Sequence, residues 1–290
     1  MRYDQGVGAG VNYAPCRYGT SRLYFRGPPR DLSGPHIAFL GGTETYGKFI
    51  DRPFVTLVEE ATGIPAVNLG VPNASVDTWL HDPGIRAIAA GATLNVVQIG
   101  GAHNLSNRFY TVHPRRNDRF IRASSVLRAI YPEVDFSDIC FTRHLLGRLH
   151  DTSRERFDIL RAELQTAWSA RMRLLLEGIG RRTLLLWFAP HLPSDLAWNE
   201  RPDPLRAEPL FVTRRMVDAL RPLVRGVVLV QPSARALAQG TAGMLFTPLQ
   251  EPAARELPGP LAHEEAALAL SGVIRDSMPN DPPVLRLVAG

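Results

Sequence analysis

The stretch Ile37-Ala38-Phe39-Leu40-Gly41-Gly42-Thr43-Glu44-Thr45-Tyr46-Gly47 decides how this chain is read. A short apolar run breaks into two glycines, a hydroxyl and a glycine-closed turn. The pattern predicts a strand buried on both faces that delivers the Thr43 side chain into a tight turn at its carboxyl end. In open α/β sheets that edge is where ligands and chemistry gather.

Outward from this segment the chain alternates. Short β-branched or leucine-rich runs predict strands at 36–40, 66–69, 94–99, 183–188 and 226–230. Helical patterns fall between and after them, at 53–62, 83–90, 154–178, 210–224 and 263–277. In the third of these, Phe157, Leu160, Leu164, Trp168, Met172 and Leu175 recur at intervals of three and four, the stripe of a helix that packs on a core. Strands alternating with helices imply βαβ units and a parallel sheet. Residues 1–34, rich in Gly, Pro and Arg, read as an extended arm with one strand near Arg22-Leu23-Tyr24-Phe25. Residues 35–290 read as a single α/β domain. Within it, 101–152 is an insertion predicted to carry two helices, about 121–131 and 137–149, and to cap the carboxyl edge of the sheet.

Composition narrows the class. A chain of 290 residues can bury a full core, and 45% hydrophobic with 21% charged residues fits a soluble globular protein. No apolar stretch approaches the roughly 20 residues of a bilayer span. The N-terminus lacks the apolar core of a signal peptide, which makes the cytoplasm the expected compartment. Cys16 and Cys140 form no disulfide framework and no metal spacing. His144 and His150 fall on different faces of a predicted helix, and the glycine run at Gly6–Gly10 has no strand before it, so neither a metal nor a cofactor is expected. Net charge is +5, and Lys48 is the sole lysine, so the basic charge is almost entirely arginine. Planar guanidiniums match carboxylate, phosphate and sulfate, whereas the absence of a basic tail or binding motif argues against nucleic acid. The expected partner is a small-molecule or saccharide ligand, with an anionic one fitting the arginine excess.

Four segments converge on one edge if the sheet is doubly wound. They are Gly41–Thr45, Asn68–Ser75, Gln98–Asn104, and His263 near the start of the last helix. A hydroxyl, amide-rich loops and a late histidine are the parts of an acyl-transfer site: nucleophile, oxyanion donors and base. For Thr43 itself three readings stand side by side: nucleophile, hydrogen-bonding group for a ligand, or structural turn residue.

The order and spacing of these blocks resemble those of the SGNH, or GDSL-type, hydrolases. The resemblance implies a three-layer α/β/α fold with five parallel strands in the order 2-1-3-4-5. It places Thr43 where the nucleophilic serine stands, His263 as the base, and Gly70 or Asn73 with Asn104 as oxyanion donors. Gly42 replaces the aspartate of the first block, and Pro260 stands where the partner aspartate of the histidine belongs. The whole chain also resembles a bacterial family of uncharacterised proteins, through Tyr13-Ala14-Pro15-Cys16-Arg17-Tyr18-Gly19, the Gly-Gly-Thr-Glu-Thr-Tyr-Gly turn and the block from Asn104 to Phe120.

That last block brings Arg108, Arg115, Arg116, Arg119 and Arg122 together with His113 and three aromatics. It reads either as an anion clamp beside the third loop or as a solvated, salt-bridged cap. Gly42, Glu44, Thr45, His103, Asn107, Arg108, Arg115, Arg116 and Arg119 complete the expected ligand-binding set. Two functions follow. One is an esterase or acyltransferase acting on an acylated small molecule or saccharide. The other is a catalytically silent relative that binds an anionic ligand through Thr43, Thr45, Asn104 and the cap arginines.

Overall fold

The computed structural model describes residues 10–196 and 204–277. The start of the arm (with most of its glycine run) and the last residues of the predicted domain lie outside them. In chain order the elements are β1 (Ile37–Gly41), α1 (Thr43–Tyr46), α2 (Phe54–Thr62), β2 (Ala66–Gly70), α3 (Val76–Leu80), α4 (Pro83–Gly91) and β3 (Leu94–Gln98). There follow β4 (Tyr110–His113), β5 (Arg116–Ala123), α5 (Ser125–Ile130), α6 (Thr142–Thr152), α7 (Arg154–Ile179) and β6 (Thr183–Phe188). The chain continues through α8 (Arg214–Asp218), β7 (Gly226–Val230), α9 (Ala234–Gln239), α10 (Glu251–Ala254) and α11 (Pro260–Ser277).

Five strands pair in the order β2-β1-β3-β6-β7, all parallel. This is the expected 2-1-3-4-5 arrangement of a three-layer α/β/α fold. Side chains alternate across the sheet. Ala38, Leu40, Leu69, Val97 and Trp187 join α3, α4 and α7 in one core. Ile37, Phe39, Val96, Leu186 and Phe188 join α2 and α11 in the other. All six residues of the predicted α7 stripe are buried. Because β1 is flanked by β2 and β3, the sheet order reverses between β1 and β3, and a crevice opens at their carboxyl ends.

The insertion differs from its prediction. It opens with an antiparallel hairpin, β4 against β5, so 121–123 is strand rather than helix. Asn117, Phe120 and Ala123 turn inward while Arg116, Arg119 and Arg122 stay exposed. α5 starts only after Ser124, whose hydroxyl accepts from the Leu127 N–H. The helix expected over 210–224 is also shorter. Thr213 caps α8 at its N-terminus, and Pro222 lies in a separate 3-10 turn, Arg221–Leu223. Pro260 starts α11 three residues earlier than predicted, where its missing N–H costs nothing.

The arm is part of the fold. Cys16 and Phe25 pair as an antiparallel bridge, and Tyr18, Leu23 and Phe25 lie in the larger core. Arg26, buried, donates to the carbonyls of Tyr46, Gly47, Ile50 and Asp51, so the arm grips the loop that follows α1.

Candidate functional site

β1 ends in Gly41, and only a glycine fits there. A Cβ would lie 1.9 Å from Thr45 Oγ1 and 2.6 Å from Gln98 Oε1. That close approach lets Gln98, at the end of β3, reach across the crevice. Its Oε1 accepts from the Thr45 hydroxyl (2.6 Å), the Gly42 N–H (3.1 Å) and the Thr45 N–H (3.3 Å). With Oε1 so occupied, Nε2 is the end that faces Glu44, and it donates to Oε2 at 2.9 Å. Thr45 is therefore buried structure, whereas Glu44 remains partly exposed at the rim. Burial pushes the Glu44 carboxyl above the usual glutamate range, opposed by the Gln98 bond, with Glu208 adding to the rise and Arg143 reducing it.

The Thr43 hydroxyl faces the loop after β2. It accepts from the Asn73 N–H at 3.0 Å and donates to Asn73 Oδ1 at 3.3 Å. Asn73 has φ of 57°, a left-handed conformation that asparagine tolerates better than most residues. Its Nδ2 donates to Asp118 Oδ2 on β5, at 3.2 Å. Gly70 meets Tyr46 so closely that a Cβ would lie 2.4 Å from its backbone nitrogen. The Gly70 N–H is already committed to Asn68 Oδ1.

The third loop brings in a further group. His103 is buried, with Nε2 3.6 Å from Glu208 Oε1 and, among the described residues, no hydrogen-bond partner for Nδ1. Burial lowers its pKa, and Glu208 opposes the fall. Glu208 is held by Arg143 of α6 (2.6 Å) and by the Leu210 N–H (2.8 Å). Asn104 Oδ1 accepts from the Thr142 hydroxyl at 2.6 Å. Asn107 is a hairpin brace: its Oδ1 takes the N–H groups of Phe109 and Tyr110.

The cap arginines do not converge on Thr43. Arg108 pairs with Glu163 of α7, and Arg119 lies over the Phe141 ring at 4.4 Å. The side chains of Arg115 and Arg116 are exposed at the hairpin turn. Two cap residues reach the site at the loop after β2: Asp118 accepts from Asn73, and Asn117 accepts from Ser75.

His263 occupies the core on the α2–α11 side of the sheet. Its ring stacks on Phe54, meets Phe188 edge-on, and its Nδ1 accepts from the Phe54 N–H at 3.2 Å. Burial, with a smaller contribution from Arg26, lowers its pKa to about 3. Thr43 thus takes its hydrogen bonds from Asn73, and His263 gives its acceptor to Phe54.

Asp118, Arg143 and Glu208 were not among the residues expected in the site, and Gln98 was expected there as part of the converging segment Gln98–Asn104 but without a role of its own. Only Gln98 left a trace in the sequence, as a polar side chain closing a buried strand. Among the described residues no group of three or more His, Cys, Asp or Glu side chains could hold a metal ion, and no helix is long and apolar enough to cross a membrane. An open groove of about 550 Å³ lies elsewhere, lined by Arg161, Gln165, Ser169, Asp195 and Thr213 among others, and includes none of the residues above.

Several solved structures are similar in outline. A lipase from a goat rumen metagenome is 13% identical, with a TM-score of 0.44 over 84% of this chain and 97% of that one. A lipase/acylhydrolase from Enterococcus faecalis is 12% identical, with a TM-score of 0.42 over 86% and 100%. A family 2 carbohydrate esterase with a carbohydrate-binding domain, from Corynascus thermopiles (Myceliophthora fergusii), is 9% identical, with a TM-score of 0.44 over 87% and 68%. No curated protein matches the sequence significantly. The family model that matches spans residues 1–278, and the chain belongs to that family, described as Domain of unknown function (DUF6473).

Proposed function

We propose that the chain binds a hydroxyl-rich small molecule of saccharide type at the carboxyl edge of the sheet, through Thr43, Asn73, Asp118 and Glu44. Acyl transfer with Thr43 as nucleophile and His263 as its general base is not part of this reading.

One arrangement carries it. The Thr43 hydroxyl exchanges hydrogen bonds with Asn73, while His263 spends its Nδ1 on the Phe54 N–H. A hydroxyl becomes a nucleophile when a base within about 3 Å takes its proton, and a ring with a pKa of about 3 is a weak base at neutral pH. The Gly70 N–H, committed to Asn68, is no free oxyanion donor.

The charge at the rim favours a neutral ligand. Glu44 and Asp118 flank the Thr43–Asn73 contact, whereas the exposed guanidiniums sit on the outer side of the hairpin. Ligand hydroxyls can donate to carboxylates and accept from amide N–H groups, which is the mixture present here.

Calorimetric titration with neutral oligosaccharides, and with their uronate and sugar-phosphate counterparts, tests the proposal. Neutral sugars bind, and Asn73→Ala or Asp118→Ala weakens them about tenfold, the loss of one or two hydrogen bonds. Wild type and Thr43→Ala turn over aryl acetates equally. Tighter binding of the anionic sugars through Arg115 and Arg116 would count against it, as would a hundredfold loss of esterase activity in Thr43→Ala.

A further inference from the structure

The hairpin arginines form neither a clamp on Thr43 nor a salt-bridged cap. Between Gly101 and Pro132 the chain carries six arginines and a single acid, Asp118, a local excess equal to the net charge of the whole chain. Asp118 turns to Asn73 on the crevice side. Arg108 is paired to Glu163, but among the described residues no carboxylate pairs with Arg115, Arg116, Arg119 or Arg122.

Backbone geometry sets three of these side chains in a row. Asn117, Phe120 and Ala123 turn inward at intervals of three, so Arg116, Arg119 and Arg122 are exposed at the same interval. The inward side chains hold the strand: Asn117 on Ser75 and Thr78, and Phe120 against the rings of Tyr110 and Phe136. On its flanks β5 pairs with β4, which places Arg122 opposite Thr111 and Arg116 opposite His113, and it bridges to Phe141. The arginines therefore stand on a fixed backbone, at positions roughly 10 Å apart over roughly 20 Å. Phe141, 42% exposed beside Arg119, and Ile121, 51% exposed, stand among them. Arginine with aromatic and aliphatic side chains, and no Glu or Lys, is the composition of a protein-binding surface.

We propose that this outer face of β5 docks an extended acidic segment of a partner protein, with carboxylates paired to Arg116, Arg119 and Arg122. A peptide in the polyproline II conformation brings every third side chain to one side about every 9 Å, which matches the row. Each planar guanidinium can take a carboxylate through two parallel N–H groups. The inner face of the same strand meets the crevice, so the partner and the crevice ligand occupy opposite sides of β5.

Fluorescence anisotropy of a labelled peptide of Glu-Pro-Pro repeats, titrated with the full chain, tests the proposal. Proline favours the extended conformation and leaves one carboxylate per turn. The repeat binds, its affinity falls as salt rises, and a Gln-Pro-Pro repeat does not bind. A peptide of the same composition with its glutamates consecutive binds more weakly. Arg119→Ala and Arg122→Ala, both at exposed positions, each weaken the repeat about fivefold to tenfold. Arg122→Lys recovers only part of that loss, because it keeps the charge without the fork. Neutral oligosaccharides leave the peptide bound.

Equal affinity for spaced and consecutive glutamates overturns the proposal, as does binding that either alanine variant leaves unchanged. Displacement of the peptide by a neutral oligosaccharide would put it in the crevice and overturn the proposal as well. So would failure of the peptide to bind; if the chain then sediments with phosphatidylserine vesicles, and Arg119→Ala and Arg122→Ala do not, the face is a membrane contact instead.

Discussion

Gln98 Oε1 lies 2.6 Å from the Thr45 hydroxyl, and this contact joins the end of β3 to the turn after β1. It spans the place where the strand order reverses, so one carboxamide closes the bottom of the crevice. Gln98→Leu strands a hydroxyl and two backbone N–H groups, and at 1–3 kcal/mol for each buried unpaired donor the variant loses roughly 3 kcal/mol or more. Gln98→Glu can accept from the same donors but sets a second carboxyl against Glu44. Like charges raise both folded-state pKa values, so its stability relative to wild type falls as pH rises above about 4. Urea midpoints across pH separate the two variants: a nearly constant deficit for leucine, a growing one for glutamate.

His263 gives the opposite pH signature. Its folded pKa of about 3 lies below that of a free histidine, so the unfolded chain binds the extra proton. Stability is therefore complete above about pH 6.5 and is lost as pH falls toward 3, by on the order of 4 kcal/mol. His263→Leu keeps apolar packing against Phe54 and Phe188 but leaves the Phe54 N–H unpaired. It starts about 1–3 kcal/mol less stable at neutral pH and declines less on acidification. Equal acid sensitivity in both proteins would contradict the buried, neutral ring.

Arg26 fastens the arm to the loop that follows α1. Its guanidinium donates to four carbonyls and has no carboxylate partner in those contacts. Arg26→Lys retains the charge but not the planar fork, so it satisfies fewer of those oxygens. Hydrogen exchange across 46–51 rises in Arg26→Lys and rises further in Arg26→Ala, which also loses several kcal/mol of stability. Unchanged protection in that loop would show that the arm is dispensable for the site.

Asn117 locks the hairpin to the start of α3. Its Oδ1 accepts from the Ser75 N–H, the Ser75 hydroxyl and the Thr78 hydroxyl, and its Nδ2 donates to the His113 carbonyl. Asn117→Ala leaves these buried groups unpaired and costs roughly 2–4 kcal/mol. It also frees Asp118 from Asn73, so ligand affinity falls along with stability. Asn117→Asp keeps the acceptor and restores part of both.

The parallel strands, the α7 stripe and the turn after β1 were legible because each is written in a local period. The cap was misread because β5 alternates irregularly, with three outward arginines and a register shift in its pairing. Charged residues on that face gave no apolar rhythm. The shortened α8 reflects the Thr213 cap and Pro222, which limit a pattern that is apolar across 210–224. Within the site, Thr43, Glu44 and Asn73 were anticipated, but Asp118 and Glu208 were not. Glu208 lies in a proline-rich loop and Arg143 on a helix exterior, positions that carry no pattern.

By itself, the sequence determined where the parallel strands and most helices form, that β1, β2, β3 and β6 are buried on both faces (the edge strand β7, expected to be so too, is exposed at Leu229), and that Thr43 lies at the carboxyl end of the first. Side-chain burial repeats every two or nearly four residues, so those facts need only neighbours along the chain. Tertiary structure alone decided which polar groups meet: Thr43 with Asn73, 30 positions away, and His263 with Phe54, 209 positions away. Such partnerships depend on strand order and helix packing to within an ångström or so, and no local period encodes them.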